Sequence, residues 1–97
     1  MDVRIQAIHF EIADRLTDFI NKKADRLARR FPAITVFDTT LKVVKPETAN
    51  NKEAIIKVVA PGCDDVVASK IADSFEEAVD LAIEAVERQL EKRKEKK

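Results

Sequence analysis

Six basic residues between Arg15 and Arg30 have a spacing that could form a binding surface. Four of these basic residues fall on the side of a helical wheel nearly opposite an apolar stripe. They share an arc of about 60° and are Arg15, Lys22, Arg26 and Arg29. Lys23 and Arg30 lie just beside this arc. A row of cations on a rigid helix suits the backbone of A-form RNA, which proteins recognise mainly through phosphates and 2′-hydroxyls. A helix face that only interacts with solvent would carry a similar pattern, so the arc alone leaves both interpretations open.

Two later segments carry opposite charges. Residues 88–97 contain six basic and two acidic residues, whereas residues 64–87 contain eight acidic residues and one basic residue. The formal net charge of zero is therefore an average over segments of opposite sign. Such asymmetry concentrates positive potential on particular surfaces, which favours a partner with phosphates. A lysine-rich helix end whose glutamates pair along the helix is the alternative explanation.

The sequence lacks the residue patterns of common enzymes. Gly62 is the only glycine, which excludes a glycine-rich phosphate loop. Cys63 and His9 are each the only residue of their type, so the chain cannot supply four zinc ligands or an internal disulfide. We expect no enzymatic activity, cofactor, metal or small-molecule substrate, and we expect Cys63 to be an incidental turn residue. No apolar run is long enough to span a membrane, so we expect no membrane partner. The single cysteine suits a reducing compartment, and we expect a cytoplasmic protein.

The elements that position these residues follow from the hydrophobic periodicity. Alternation predicts strands near residues 3–7, 37–45, 54–60 and 66–72, with a loop at 47–51. Spacing of three and four residues predicts a helix from about Asp14 that Pro32 ends, because the residue before a proline avoids the α region. Ser74-Phe75-Glu76-Glu77 fits a capping box at the start of a second helix.

The predicted order is β-α-β-β-β-α, an α+β class. It favours a right-handed crossover with the first two strands parallel, followed by a meander. Each helix has one apolar stripe, so both should pack on one face of a four-stranded sheet in a two-layer sandwich. If Val67 and Ile71 face the helices, one cation from each strand lies on the other face: Arg4, Lys42, Lys57 and Lys70. We expect one domain over residues 1–91 and a basic tail over 92–97.

The whole pattern resembles the family of ribosome hibernation-promoting factors, also called sigma-factor modulation proteins. The resemblance covers nearly the full chain and depends on its register, carried by Val3-Arg4-Ile5, Glu11-Ile12, Leu16, Phe19, Lys23, Arg26, Leu27, Phe31, Leu41-Lys42-Val43, Ala78-Val79-Asp80 and Arg88-Gln89-Leu90 leading to Lys92 and Lys94. The chain departs from the family pattern at Glu76, where members often have tyrosine, and at Ala72, where they have glycine. It is similar to the short members, which lack the domain that joins two ribosomes.

The resemblance implies a fold akin to a double-stranded-RNA-binding domain with an extra first strand. It also implies binding at the decoding region of the small ribosomal subunit, where the protein would exclude mRNA and tRNA. The family positions that contact rRNA match Lys23, Arg26, Arg88, Lys92 and Lys94. The helical wheel adds Lys22, Arg29 and Arg30, and the C-terminal cluster adds Arg93.

We therefore expect a translation inhibitor whose partner is the small subunit and its rRNA, and which is a monomer away from the ribosome. Recognition should depend on shape and charge rather than on base sequence. Two alternatives stay open at this point: a protein–protein adaptor that uses the acidic segment 64–87, and a generic binder of double-stranded RNA.

Overall fold

The computed structural model describes residues 1–44, 50–62 and 65–95, without the side chains of 93–95. The elements are β1 (Asp2–Ala7), α1 (Asp14–Arg30), β2 (Val36–Val43), β3 (Lys52–Val59), β4 (Val66–Ala72) and α2 (Phe75–Glu95). The predicted order β-α-β-β-β-α is confirmed. Cys63 and most of the predicted 47–51 loop lie outside the described residues.

The four strands form one sheet in the order β1-β2-β3-β4. β1 runs parallel to β2, with Val3 opposite Phe37. β2 and β3 are antiparallel, as are β3 and β4. The predicted crossover between parallel strands, followed by a meander, is therefore confirmed.

Local sequence signals explain where the helices begin and end. The backbone N–H of Glu77 donates to Ser74 Oγ at 3.2 Å, so the serine caps α2 as predicted. α1 ends at Arg30, where Phe31 N–H donates to Leu27 O and Pro32 follows. α2 continues to Glu95, so residues 92–95 of the predicted tail extend the helix. The domain limit at residue 91 stays a prediction.

The core lies between the sheet and the two helices, which pack on one face as predicted. α2 lies over β3 and β4, and α1 lies beside α2 and over β1. The largest fully buried side chains of the sheet include Phe37, Leu41, Ile56 and Val58. α1 contributes Ile20, Ala24 and Leu27. The buried residues of α2 are Ala78, Val79, Ala82, Ile83, Val86 and Leu90. Burial of each large side chain contributes about 1.5–3 kcal/mol to stability, and this fixes which helix faces remain exposed.

The prediction for the two faces of β4 is wrong. Val67 and Ile71 are 51% and 48% exposed, whereas Val66, Ala68 and Ala72 are buried under α2. The antiparallel register causes this, because Val66 lies opposite Val58 and both must face the same side. Small residues on this strand also let α2 approach the sheet closely.

The correction changes the predicted basic sheet face as well. Lys70 lies opposite Ala54, a core residue. Residues that pair directly share a face, so Lys70 is on the face of the sheet that the helices cover. The open face keeps Arg4, Lys42 and Lys57. Lys42 pairs with Glu53 at 3.2 Å and Lys57 pairs with Asp65 at 3.3 Å. The open face is therefore of mixed charge.

Candidate nucleic-acid interface

The outer side of α1 carries exposed cations. Ile20, Ala24 and Leu27 face the core, and this burial turns Lys22, Arg26 and Arg29 toward solvent. In the described part of the chain, none of these three cations forms an ion pair. Arg15, the fourth residue of the predicted arc, is exposed as well, so the arc is a row of positive charges on a rigid helix.

Lys23 and Arg30 have different surroundings, because they lie on the side of α1 that faces α2. Lys23 Nζ is 2.9 Å from Asp80 Oδ1. Arg30 donates through Nη1 to Glu87 and through Nη2 to Glu91, one helical turn further along α2. Two of the nine predicted RNA-binding residues therefore have carboxylate partners within the protein.

Each of the two paired cations also lies over an aromatic ring that is close to it in sequence. Lys23 Nζ lies 5.4 Å from the centre of the Phe19 ring, and Arg30 Cζ lies 5.4 Å from the centre of the Phe31 ring. Each charge is thus held between an aromatic face and a carboxylate. This arrangement orients Lys23 and Arg30 along the α1–α2 groove, where the Lys23 side chain is 28% exposed and that of Arg30 is 50% exposed.

The groove between the helices contains charges of both signs. Lys23, Arg26 and Arg30 line it from α1, opposite three carboxylates of α2: Asp80, Glu84 and Glu87. Arg26 is exposed and belongs both to the lining of the groove and to the outer arc. Near-equal numbers of cations and anions leave the groove with little net attraction for phosphate.

The predicted residues on α2 lie apart from this groove. Arg88 and Lys92 are both exposed. Arg88 adjoins Gln89, whose side-chain amide donates to Val67 O of β4 at 3.4 Å, whereas Glu87 and Glu91 point to α1. Arg88 and Lys92 are not among the residues that line the groove, which on α2 are Asp80, Ile83, Glu84 and Glu87. The side chains of Arg93 and Lys94 lie outside the described residues, although the backbone there is helical.

The carboxylates that pair with α1 are the site residues that the sequence analysis missed. A signal for them exists in the sequence, because Lys23 and Arg30 are seven residues apart and so are Asp80 and Glu87. Two turns of helix separate the members of each set, so parallel helices bring both pairs into register. The signal needs the knowledge that α1 and α2 lie side by side.

No helix in the described part of the chain is long and apolar enough to cross a membrane. Within the same residues there is no cluster of three or more histidine, cysteine or acidic side chains that could hold a metal ion.

Comparisons with known proteins agree with one another. Residues 3–97 match the family described as Sigma 54 modulation protein / S30EA ribosomal protein. A protein of Azotobacter vinelandii named ribosome hibernation promoting factor is 31% identical over 96 residues, which cover 99% of this chain and 85% of the relative. A protein of the same name from Pseudomonas putida is 32% identical, with 99% of this chain and 89% of the relative covered.

Two solved structures share the fold. A ribosomal subunit interface protein from Coxiella burnetii superposes with a TM-score of 0.85 at 23% identity, covering 97% of this chain and 98% of that one. The N-terminal domain of Protein Y from Thermus thermophilus superposes with a TM-score of 0.77 at 25% identity, covering 95% of this chain and 98% of that one. The predicted fold class is confirmed by the agreement in element order.

Proposed function

This chain belongs to the Sigma 54 modulation protein / S30EA ribosomal protein family, whose members include ribosome hibernation promoting factors, and from that membership we propose how it acts on the ribosome. It docks on the small subunit at the decoding region, through phosphates of the rRNA. The folded domain then occupies the space that mRNA and tRNA need, and translation stops without any chemical turnover. The process is ribosome hibernation, and the mechanism is steric.

The exposed cations on the outer side of α1 carry this proposal. Lys22, Arg26 and Arg29 are held in a row by a helix whose other face is buried in the core. A phosphate that approaches this row meets positive charge with no carboxylate partner in the described part of the chain. We infer that these three residues form the main docking surface, with Arg88 and Lys92 as a second, separate contact.

The aromatic residues support recognition of the backbone rather than of stacked bases. Phe37 is buried, and the other four phenylalanines are partly buried against the core. Binding of single-stranded RNA usually needs exposed rings on which bases stack. The side chains that remain for RNA are cations, which position a protein on phosphates without reading the base sequence.

The adaptor alternative receives less support. It requires the acidic segment 64–87 to present its carboxylates to a partner protein. Asp80 and Glu87 instead pair with cations of α1, and Asp65 pairs with Lys57. A basic partner would have to displace these cations of the same chain from the carboxylates, so we favour docking on RNA.

The test is co-sedimentation of purified chain with small ribosomal subunits. Arg26→Glu with Arg29→Glu should abolish co-sedimentation, because two phosphate contacts become repulsive. The matched control is Arg4→Glu with Lys70→Glu, which makes the same change in net charge at exposed positions outside α1 and α2. Loss of binding by the control pair, or its retention by the α1 pair, would overturn the assignment of α1 as the docking surface. Failure of the unsubstituted chain to bind small subunits would overturn the proposed function itself.

A further inference from the structure

We propose that two copies of this chain associate through their β4 strands, which pair antiparallel and join two four-stranded sheets into one. β4 is at the opposite edge of the sheet from β1, the strand that α1 covers, so the contact leaves the cations of α1 free. The inference is therefore independent of whether the chain binds ribosomes. The monomer that the sequence predicts is then the state of the chain in dilute solution.

The backbone of β4 has hydrogen-bonding groups that β3 does not use. β4 is the last strand of the sheet that the structure describes. The side-chain amide of Gln89 donates to Val67 O at 3.4 Å, so this carbonyl points away from β3. Alternation along an antiparallel ladder then directs the N–H and C=O groups of Val67, Ser69 and Ile71 outward. An edge of this kind is a template on which another strand can pair.

The side chains beside this edge form an apolar patch. Val67 and Ile71 are about half exposed on the open face of the sheet. Ile55 of β3 lies opposite Ser69 on the same face and is half-buried. Contiguous exposed apolar side chains are typical of an interaction surface. The other edge strand, β1, instead has polar side chains on this face: Asp2, Arg4 and Gln6.

The charges near the patch have partners within the chain, which suits an identical copy as the occupant. Asp73, which follows β4, accepts a hydrogen bond from the backbone N–H of Asn50 at 2.8 Å. The formal net charge of the chain is zero, and proteins near zero net charge associate more readily. A strongly charged partner would gain little here, whereas a second copy meets no net repulsion. Two ion pairs flank the patch: Lys42 with Glu53, and Lys57 with Asp65.

The sequence of β4 is complementary to itself in an antiparallel register centred on Ser69. In this register Val67 lies opposite Ile71 of the second copy, and the two-fold axis repeats the contact. Lys70 is the one charged residue of Val66–Ala72, and it lies opposite Ala68 of the second copy, so no like charges face each other within the strand. Each outward-facing pair exchanges two backbone hydrogen bonds, so the three pairs form about six.

The experiment is sedimentation equilibrium of the full chain at concentrations between about 1 μM and about 1 mM, because a single pair of strands makes a small and therefore weak interface. The weight-average mass should rise with concentration from 11.0 kDa toward twice that value. A mass that stays at 11.0 kDa throughout this range would overturn the inference.

Two double variants test the pairing itself. The like-charge variant, Val67→Lys with Ile71→Lys, places lysines opposite each other in the proposed register and should stay monomeric. The opposite-charge variant, Val67→Lys with Ile71→Glu, has as many new charges at the same positions but places each lysine opposite a glutamate. It should still dimerise. Both positions are about half exposed, so both variants should fold, which a thermal melt checks.

A control variant separates the edge contact from an effect of net charge. Asp2→Asn with Gln6→Lys raises the net charge by two, as the like-charge variant does, but on the open face of β1. It should dimerise like the unsubstituted chain. The inference fails if the like-charge variant dimerises, if the opposite-charge variant stays monomeric, or if the β1 control loses its association.

Discussion

Lys23 on α1 and Asp80 on α2 form an ion pair whose Nζ and Oδ1 atoms are 2.9 Å apart. Arg30 and Glu87 repeat the relationship two helical turns later, so α1 and α2 run parallel and in register along this interface. The same pairs divide the predicted binding residues of α1 into two groups. Lys22, Arg26 and Arg29 face solvent, whereas Lys23 and Arg30 are committed to α2.

The register can be tested by exchanging the charges of one pair. Lys23→Glu places two carboxylates side by side and should lower the free energy of unfolding by about 0.5–1 kcal/mol, a small effect because both side chains are partly exposed. Combining it with Asp80→Lys should recover most of this loss, as a double-mutant cycle by urea unfolding would show. Lys22→Glu, on the outer arc, is the control and should change stability by less than about 0.5 kcal/mol. A swapped pair no more stable than the single variant would contradict the register.

Hydrophobic periodicity predicted most of this fold. Each helix has a single apolar stripe, and Pro32 and Ser74 mark helix ends by local chemistry that depends little on tertiary context. The parallel pairing of β1 with β2 followed from the helix that connects them, because a helical crossover returns the chain to the same end of the sheet. These features are local or nearly so, which is why the sequence alone specifies them.

β4 shows where sequence patterns become ambiguous. Val66-Val67 offers two ways to place the strand, and the expectation placed Val67 and Ile71 toward the helices. The structure places Val66 and two alanines inside, because β3 sets the register and α2 needs small residues beneath it. Both causes depend on elements distant in sequence.

The candidate site shows the same limit. The outer arc of α1 was visible on a helical wheel, because one helix contains it. The pairing of Arg30 with Glu87 and Glu91 was not, because it joins residues 57 and 61 positions apart. The charges were counted correctly by segment, but their partners depend on how the helices pack.

Thr39 offers a prediction about stability in the centre of the sheet. It is fully buried, and its Oγ1 has no hydrogen-bond partner among the described residues. A buried hydroxyl without a partner costs free energy, so the nearly isosteric change Thr39→Val should raise the free energy of unfolding by about 1 kcal/mol. Urea unfolding measures this change. Thr40→Val, on the half-buried open face, is the control and should have a smaller effect; equal gains would show that burial of the hydroxyl is not the cause.

Phe10 should fix the loop before α1 against the start of α2. Its ring stacks on Phe75, with centroids 4.9 Å apart and planes 13° from parallel. Phe10→Ala should lower the free energy of unfolding by about 2 kcal/mol, less than at a fully buried site. Phe10→Leu retains the apolar contact and should lose only the stacking contribution, about 1 kcal/mol. Thermal melts of both variants distinguish the two contributions, and a Phe10→Leu variant as stable as the unsubstituted chain would mean that stacking contributes nothing beyond apolar burial.

The last prediction concerns the C-terminal cations and the salt dependence of binding to small subunits. If α1 and the residues after Glu91 together neutralise about six phosphates, log affinity should fall with log salt at a slope near −4 to −5. Replacement of the five final cations by glutamine should flatten that slope. These cations are Lys92, Arg93, Lys94, Lys96 and Lys97. Glutamine preserves helix propensity, so the last turns of α2 should persist in circular dichroism.

Affinity should weaken in this variant without any change of partner, since phosphate contacts position a protein but carry no sequence information. An adaptor that binds through its acidic residues would respond in the opposite way. Its binding would survive the glutamine replacements and would weaken when Asp80, Glu84 and Glu87 are neutralised. A salt titration of the three chains therefore separates the two mechanisms. A steep slope that disappears only on neutralisation of the acids would show that the C-terminal cations do not contact the rRNA.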